Sequence, residues 1–201
     1  FALWAAQLRY ARRAQSRIQA ARAIAHWGDE TSVRLLERTV RHDPFWGASA
    51  EAAYALSRIR TRAAFAALKS LLNVRRPKVR RSVVGALGEF RSPETAQAIL
   101  PLLKRDPSLQ VQAEACRVLG SFRDKRWLPA LKAKLSQPSY WDTLAGGAIS
   151  GMAAMRDGRV LPILRRLSQP PTSYPARVYA LRALGQFHPL DPGVIDWISK
   201  N

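Results

Sequence analysis

The sequence predicts an all-α fold: a right-handed α-solenoid of about five to six helix pairs, with residues 1–201 forming a single domain. Three observations carry this. One phrase returns along the chain, as VRRSVVGALGEF at 79–90, VQAEACRVLGSF at 111–122 and ARVYALRALGQF at 176–187. The return is periodic, because Ile24, Leu56, Leu87, Leu119, Met152 and Leu184 follow one another at 32, 31, 32, 33 and 32 residues. That period suits two helices of about ten to twelve residues and two turns. Flanking columns keep the register: Ala20, Ala52, Val83, Ala115, Ala148 and Ala180 lie four residues earlier, and Trp27, Ile59, Phe90, Phe122, Met155 and Phe187 three residues later. These offsets place all three columns on one face of a helix. No strand-like alternation competes with them.

Each unit continues through a short turn into a second amphipathic run, such as SVRLLERTV from Ser32, AAFAALKSLL from Ala63, WLPALKAKL from Trp127 and VLPILRRL from Val160. Pro129 and Pro162 stand early in their runs, where a missing amide costs little. Pro101 stands deeper and predicts a late start or a kink. A turn then separates units at Asp43-Pro44, Arg76-Pro77, Asp106-Pro107 and Gln137-Pro138. Gly88, Gly120 and Gly185 share one column beside the core leucine, where a small residue lets helices approach closely. A phosphate-cradling glycine loop would need a preceding strand and denser glycines.

Composition narrows the function. With 47% hydrophobic residues the chain can bury a core. No apolar run reaches the ~18–20 residues of a membrane-spanning helix, and the start lacks the order of a secretory signal. The chain begins at Phe1 rather than methionine, as expected of a fragment of a longer polypeptide. The single cysteine, Cys116, falls in an apolar column and reads as a buried hydrophobe; it suits a reducing compartment, so the expected location is cytoplasmic. His26, His42 and His188 have no ligand spacing, so no metal or cofactor is expected within this segment. The net charge of +19 predicts attraction to polyanions, whether nucleic acid, an anionic membrane surface or an acidic protein face. The excess of arginine over lysine fits phosphate or carboxylate recognition, and equally a GC-rich coding bias.

Helix pairs carrying VRR-x-x-V-x-ALG-x-F with an intervening D-P resemble HEAT repeats, particularly the short variety related to phycobilisome-lyase repeats. The phrase RHDPFWGASAEAAYALSRI at 41–59, followed by KVRRSVVGALGEF and DPSLQVQAEACRVLGSF, further resembles the C-terminal helical domain of bacterial aminopeptidase N-like zinc metallopeptidases. A related domain occurs in a TFIID subunit of that superfamily. The resemblance implies a non-catalytic domain that packs on an upstream catalytic domain and shapes access of peptide substrates. It also implies that zinc belongs to that upstream domain. The HExxH and GxMEN-type motifs are absent here, and some members of the superfamily have lost catalysis. The alternative is a freestanding basic scaffold that binds nucleic acid or acidic proteins. A third reading, a HEAT-like DNA glycosylase, lacks a base-probing aromatic constellation and a poised acid.

Candidate binding residues follow from the solenoid's concave face, lined by the first helix of each pair. Positions between the apolar columns offer Arg22, Glu51, Tyr54, Arg58, Glu114, Arg117, Tyr179 and Arg182, a mixture suited to a peptide-binding wall; Glu114 and Arg117 also suit a simple solvated pair. Gln19, His26, Ser82 and Glu89 lie on the same positions. The densest basic cluster, Arg75, Arg76, Lys78, Arg80 and Arg81, is a candidate polyanion or interdomain contact. TLAGGAISGM at 143–152 adds three glycines, which predicts either very close packing, for example against an upstream domain, or a weak helix. Phe45-Trp46 and Tyr140-Trp141 are expected to act as lids over the groove between units.

Overall fold

The computed structural model describes residues 1–187 and 193–200, so His188 lies outside the described residues. Two compact units divide the chain, 1–98 and 99–201, and the division falls inside one helix. Unit 1 holds α1 (Ala2–Tyr10), α2 (Ala14–Ile24), α3 (Glu30–His42), α4 (Trp46–Ile59), α5 (Arg62–Ser70) and α6 (Pro77–Gly88). Then comes α7 (Pro93–Arg105). Unit 2 continues with α8 (Leu109–Ser121), α9 (Leu128–Lys132), α10 (Thr143–Met155), α11 (Leu161–Leu167), α12 (Tyr174–Gly185) and α13 (Gly193–Lys200). Among the described residues there is no strand. In unit 1, α4 packs on α2, α3 and α6; in unit 2, α10 packs on α8 and α12.

The two predicted inner columns build the cores. Ile24, Leu56, Leu87, Leu119, Met152 and Leu184 are fully buried, and so is the small column four residues earlier. Burying each large member stabilises by about 1.5–3 kcal/mol. The third column departs from expectation. Trp27, Phe90, Phe122 and Phe187 lie beyond their helices, which close with tight turns in which each amide donates to the core residue three before it, as from Trp27 to Ile24 and from Phe187 to Leu184. Met155 and Phe187 are buried, whereas Trp27 is exposed and stacks edge-on with Phe1.

A feature absent from the sequence reading recurs between the two helices of each pair. Gly28, Arg60, Arg91, Arg123 and Arg156 all take the left-handed conformation, at φ of 65, 56, 45, 57 and 51°. The next residue, Asp29, Thr61, Ser92, Asp124 or Asp157, accepts a hydrogen bond from a backbone amide at the start of the following helix or its leading turn. The positive φ reverses the chain and the cap satisfies an amide that the helix start would leave orphaned. For a residue with a Cβ the left-handed conformation costs roughly 1–2 kcal/mol.

Three further expectations are settled in part. α7 runs through Pro101 without a late start; the proline is exposed, and so is Gln97, whose carbonyl loses its amide partner. The very close packing expected at the glycines of α10 is present, and this chain's own helices supply it. A Cβ on Gly147 would come within 2.6 Å of the Ala113 backbone, one on Gly151 within 2.4 Å of the Cys116 carbonyl oxygen, and one on Gly146 within 2.6 Å of the Tyr179 ring. Gly120 meets Gly151 in the same seam, whereas a Cβ on Gly185 would meet nothing within 4 Å, so close approach explains one of those two glycines. Tyr140 and Trp141 are not lids: they are 83% and 61% exposed, because Trp141 and Asp142 both adopt positive φ and turn the pair outward. Phe45 and Trp46 also stand exposed, Phe45 lying over Gly47.

Candidate functional site

The first helices of the pairs in unit 1 bring four of the predicted residues together. Arg22 from α2 and Glu51, Tyr54 and Arg58 from α4 line one open cleft of about 570 Å³, joined by Ser57, Arg60 and Glu89. Glu51 sits between two arginines, accepting from Arg22 Nη2 at 3.0 Å and Arg58 Nη2 at 2.8 Å. Burial alone would raise its pKa, but those two hydrogen bonds and the attached charges outweigh desolvation and hold it below the usual value. The Tyr54 ring stays partly exposed in the wall. The cleft therefore offers guanidiniums, a fixed carboxylate and an aromatic face, the polar and apolar pairing that a polypeptide presents in return.

In unit 2, Glu114 is buried and ion-paired with Arg117 on the same turn of α8. Tyr179 is occupied against Gly146, and Arg182 is exposed on α12. His26 caps its own helix end, with Nδ1 3.1 Å from the Ala23 carbonyl oxygen.

The basic cluster is divided between internal and external work. Arg76 donates to the carbonyl oxygens of Asp43 and Val40 and to Ser49 Oγ, at 2.7, 3.4 and 2.8 Å. Arg80 is buried and donates to the carbonyls of Val74 and Arg75. Lys78 lies over the Trp46 ring, 5.3 Å from its centroid, and Arg75 is exposed. Arg81 is half-buried on α6.

Arg76 and Arg80 belong to a recurrent bracket on the turns between helix pairs. Arg17 donates to the carbonyls of Ala11 and Arg12, as Arg80 does to Val74 and Arg75, and Gln112 Nε2 donates to the Asp106 carbonyl. In each case the acceptor is six residues before the donor, with the arginines adding the carbonyl five before. The turn at Asp43 has Ser49 in the donor position, too short to reach, and Arg76 supplies the missing guanidinium. Arg17 also holds the buried Asp43 carboxylate through Nε and Nη2 at 2.7 and 2.9 Å. In the neighbouring bracket, Gln112 receives a hydrogen bond from the buried Lys134 at 2.8 Å. Recurrent donors at matched positions were a signal in the sequence, hidden by the change from arginine to glutamine.

A second cleft of unit 1, about 560 Å³, was not predicted. Its rim carries Arg9, Arg12, Arg38 and His42, and its floor includes Leu8 and Leu35. Among the described residues that line it the one carboxylate, Asp43, is committed to Arg17. Arg38 and His42, four apart on α3, were the available signal.

Cys116 is fully buried, and desolvation pushes its thiol up to about 12, which removes the thiolate a nucleophile requires. Among the described residues, no group of three or more His, Cys, Asp or Glu side chains is placed to hold a metal ion. No described helix is long and apolar enough to cross a membrane.

A family model described as HEAT repeats matches residues 1–76, 40–108, 72–146 and 96–185. Among solved structures, the chain is similar to one in the complex of CpcE and CpcF of phycocyanin lyase from Nostoc sp. The identity is 19%, covering 92% of this chain and 75% of that one, with a TM-score of 0.60. Human deoxyhypusine hydroxylase in complex with glycerol is matched at 14% identity over 93% of this chain and 95% of that one, with a TM-score of 0.45. No curated protein matches the sequence.

Proposed function

Because the chain belongs to the HEAT-repeat family, we propose that it is a non-catalytic recognition domain whose first-helix face in unit 1 binds a polypeptide. The observation that carries this is the Arg22–Glu51–Arg58 arrangement beside Tyr54 in an open cleft. Stacked helical repeats present such surfaces to extended partners, and fixed charges of both signs orient a peptide more than they add affinity. An array of short peptides of graded charge tests it. The reading requires a bound set carrying both charges and an apolar side chain, and loss of that set in an Arg22→Ala, Arg58→Ala double variant. Binding that ignores the double substitution sinks it.

The phrase at 41–59 supports a finer setting, in which the domain borders the substrate chamber of an aminopeptidase N-like zinc metallopeptidase. Several letters of that phrase also have internal work: Asp43 pairs with Arg17, Phe45 covers Gly47 and Ser49 receives Arg76. The setting is tested on the longest natural polypeptide that contains these residues, by its zinc content and its hydrolysis of aminoacyl-arylamides with and without residues 1–201. An altered substrate profile on truncation supports the chamber wall, and absence of both zinc and turnover rejects an active peptidase. The basic cleft at Arg9, Arg12 and Arg38 favours a second reading, a freestanding scaffold with an acidic protein partner. Salt-sensitive capture of acidic peptides, lost on Arg38→Glu, is its signature.

A further inference from the structure

We propose that the turn edge of unit 2, carried by Arg123, Lys125, Arg126, Arg156 and Arg159, binds the phosphate backbone of a nucleic acid without reading its sequence. Two consecutive pairs present the matched turns Arg-Asp-Lys-Arg at 123–126 and Arg-Asp-Gly-Arg at 156–159. All five cationic residues are exposed. Asp124 and Asp157 are each bonded to the arginine two residues on within their own turn, leaving three cations in excess. The turns lie together, since α8 and α10 pack side by side in the same direction, Ala113 against Gly147 and Gly120 against Gly151, and one turn follows each helix.

The backbone supplies the reason to read these arginines as selected for their charge. Arg123 and Arg156 occupy the left-handed position that Gly28 fills without strain in the equivalent turn, and the same exchange recurs at Arg60 and Arg91 in unit 1. A GC-rich coding bias does not explain it, because such a bias enriches glycine as readily as arginine. Strain retained at an exposed position points to a use for the side chain. The surroundings favour phosphates over a peptide. Neither four-residue turn contains an apolar side chain to anchor a polypeptide, while guanidiniums match phosphate oxygens in a planar fork. Neither four-residue turn carries an aromatic, and Trp127, which follows the first, is half-buried rather than exposed, so contacts go to the backbone rather than to bases.

The test exploits the strain. In the double variant Arg123→Gly, Arg156→Gly, two cations disappear while the backbone is relieved, so the thermal midpoint should hold or rise. Fluorescence anisotropy with a labelled mixed-sequence single-stranded DNA should then show affinity down by about tenfold or more at low salt, with the slope of log K against log salt smaller by about 1.4. A Lys104→Gln, Arg105→Gln variant removes the same charge from exposed positions elsewhere and should change affinity much less. Equal losses in the two variants would show a diffuse charge effect and overturn the site. So would an unchanged slope in the glycine variant, or tighter binding of polyglutamate than of DNA with the same dependence on Arg123 and Arg156.

Discussion

Substituting alanine at two glycines of one repeat column should have opposite effects. A Cβ on Gly120 would stand 2.0 Å from the carbonyl oxygen of Gly151, backbone against backbone where α8 meets α10. An ordinary carbon-to-oxygen contact is about 3.3 Å, so the seam must open by about 1.3 Å. Overpacking of this kind costs about 3 kcal/mol, partly offset by alanine's helix preference of about 1 kcal/mol. At Gly185 the added methyl meets nothing within 4 Å, and only the helix preference remains, worth no more than about 1 kcal/mol at a helix end. The two variants should therefore differ by about 2–3 kcal/mol, or about 4–12 °C in melting temperature for a chain of this size. Circular dichroism melts of the wild type, Gly120→Ala and Gly185→Ala decide it. Melting of the two variants within about 2 °C of each other would refute the close-packed seam.

Three other outcomes follow from the geometry. Asp43→Ala strands the buried Arg17 guanidinium and should cost about 3–5 kcal/mol, with much of it recovered in the Arg17→Met, Asp43→Ala double variant; a denaturant-unfolding cycle measures the coupling. Glu51 has a lowered pKa when folded, so its contribution is present above the unfolded value of ~4.3 and lost as pH falls through the folded one. The difference in melting temperature between the wild type and Glu51→Gln should thus persist at neutral pH and vanish only in strong acid. Cys116, buried and with a pKa of about 12, should resist thiol reagents at pH 8 in the folded chain and react at once in denaturant, as read by mass spectrometry.

The helical architecture was legible because burial imposes a repeating letter: a fully buried leucine and an alanine four residues before it tolerate little variation in size. Function was less legible for a physical reason. Arginine looks the same in sequence whether it is a bracket, like Arg76 and Arg80, or an exposed cation, like Arg75, and only the carbonyls within reach distinguish them. The Arg22, Glu51, Tyr54 and Arg58 wall was found from helical spacing, whereas Arg60 and Glu89 join it from helix ends that spacing places poorly. The left-handed column was hidden because one glycine and four arginines share no side-chain property. Their likeness is a backbone angle. Tyr140-Trp141 misled for a related reason: an aromatic pair suggests burial until two positive φ values point it outward.

The borrowed guanidinium of Arg76 has an implication for how this array can be rearranged. Repeat arrays invite shuffling, because each unit contacts chiefly its neighbours. Here the stretch beginning at Asp43 depends on its successor, since the carbonyl at its opening turn is satisfied by a side chain from the following helix pair rather than by its own Ser49. A chimera that transplants residues 43–73 would carry the debtor without its creditor. Order is thereby written into this part of the chain: it is a sentence whose clauses refer forward, not a row of interchangeable beads.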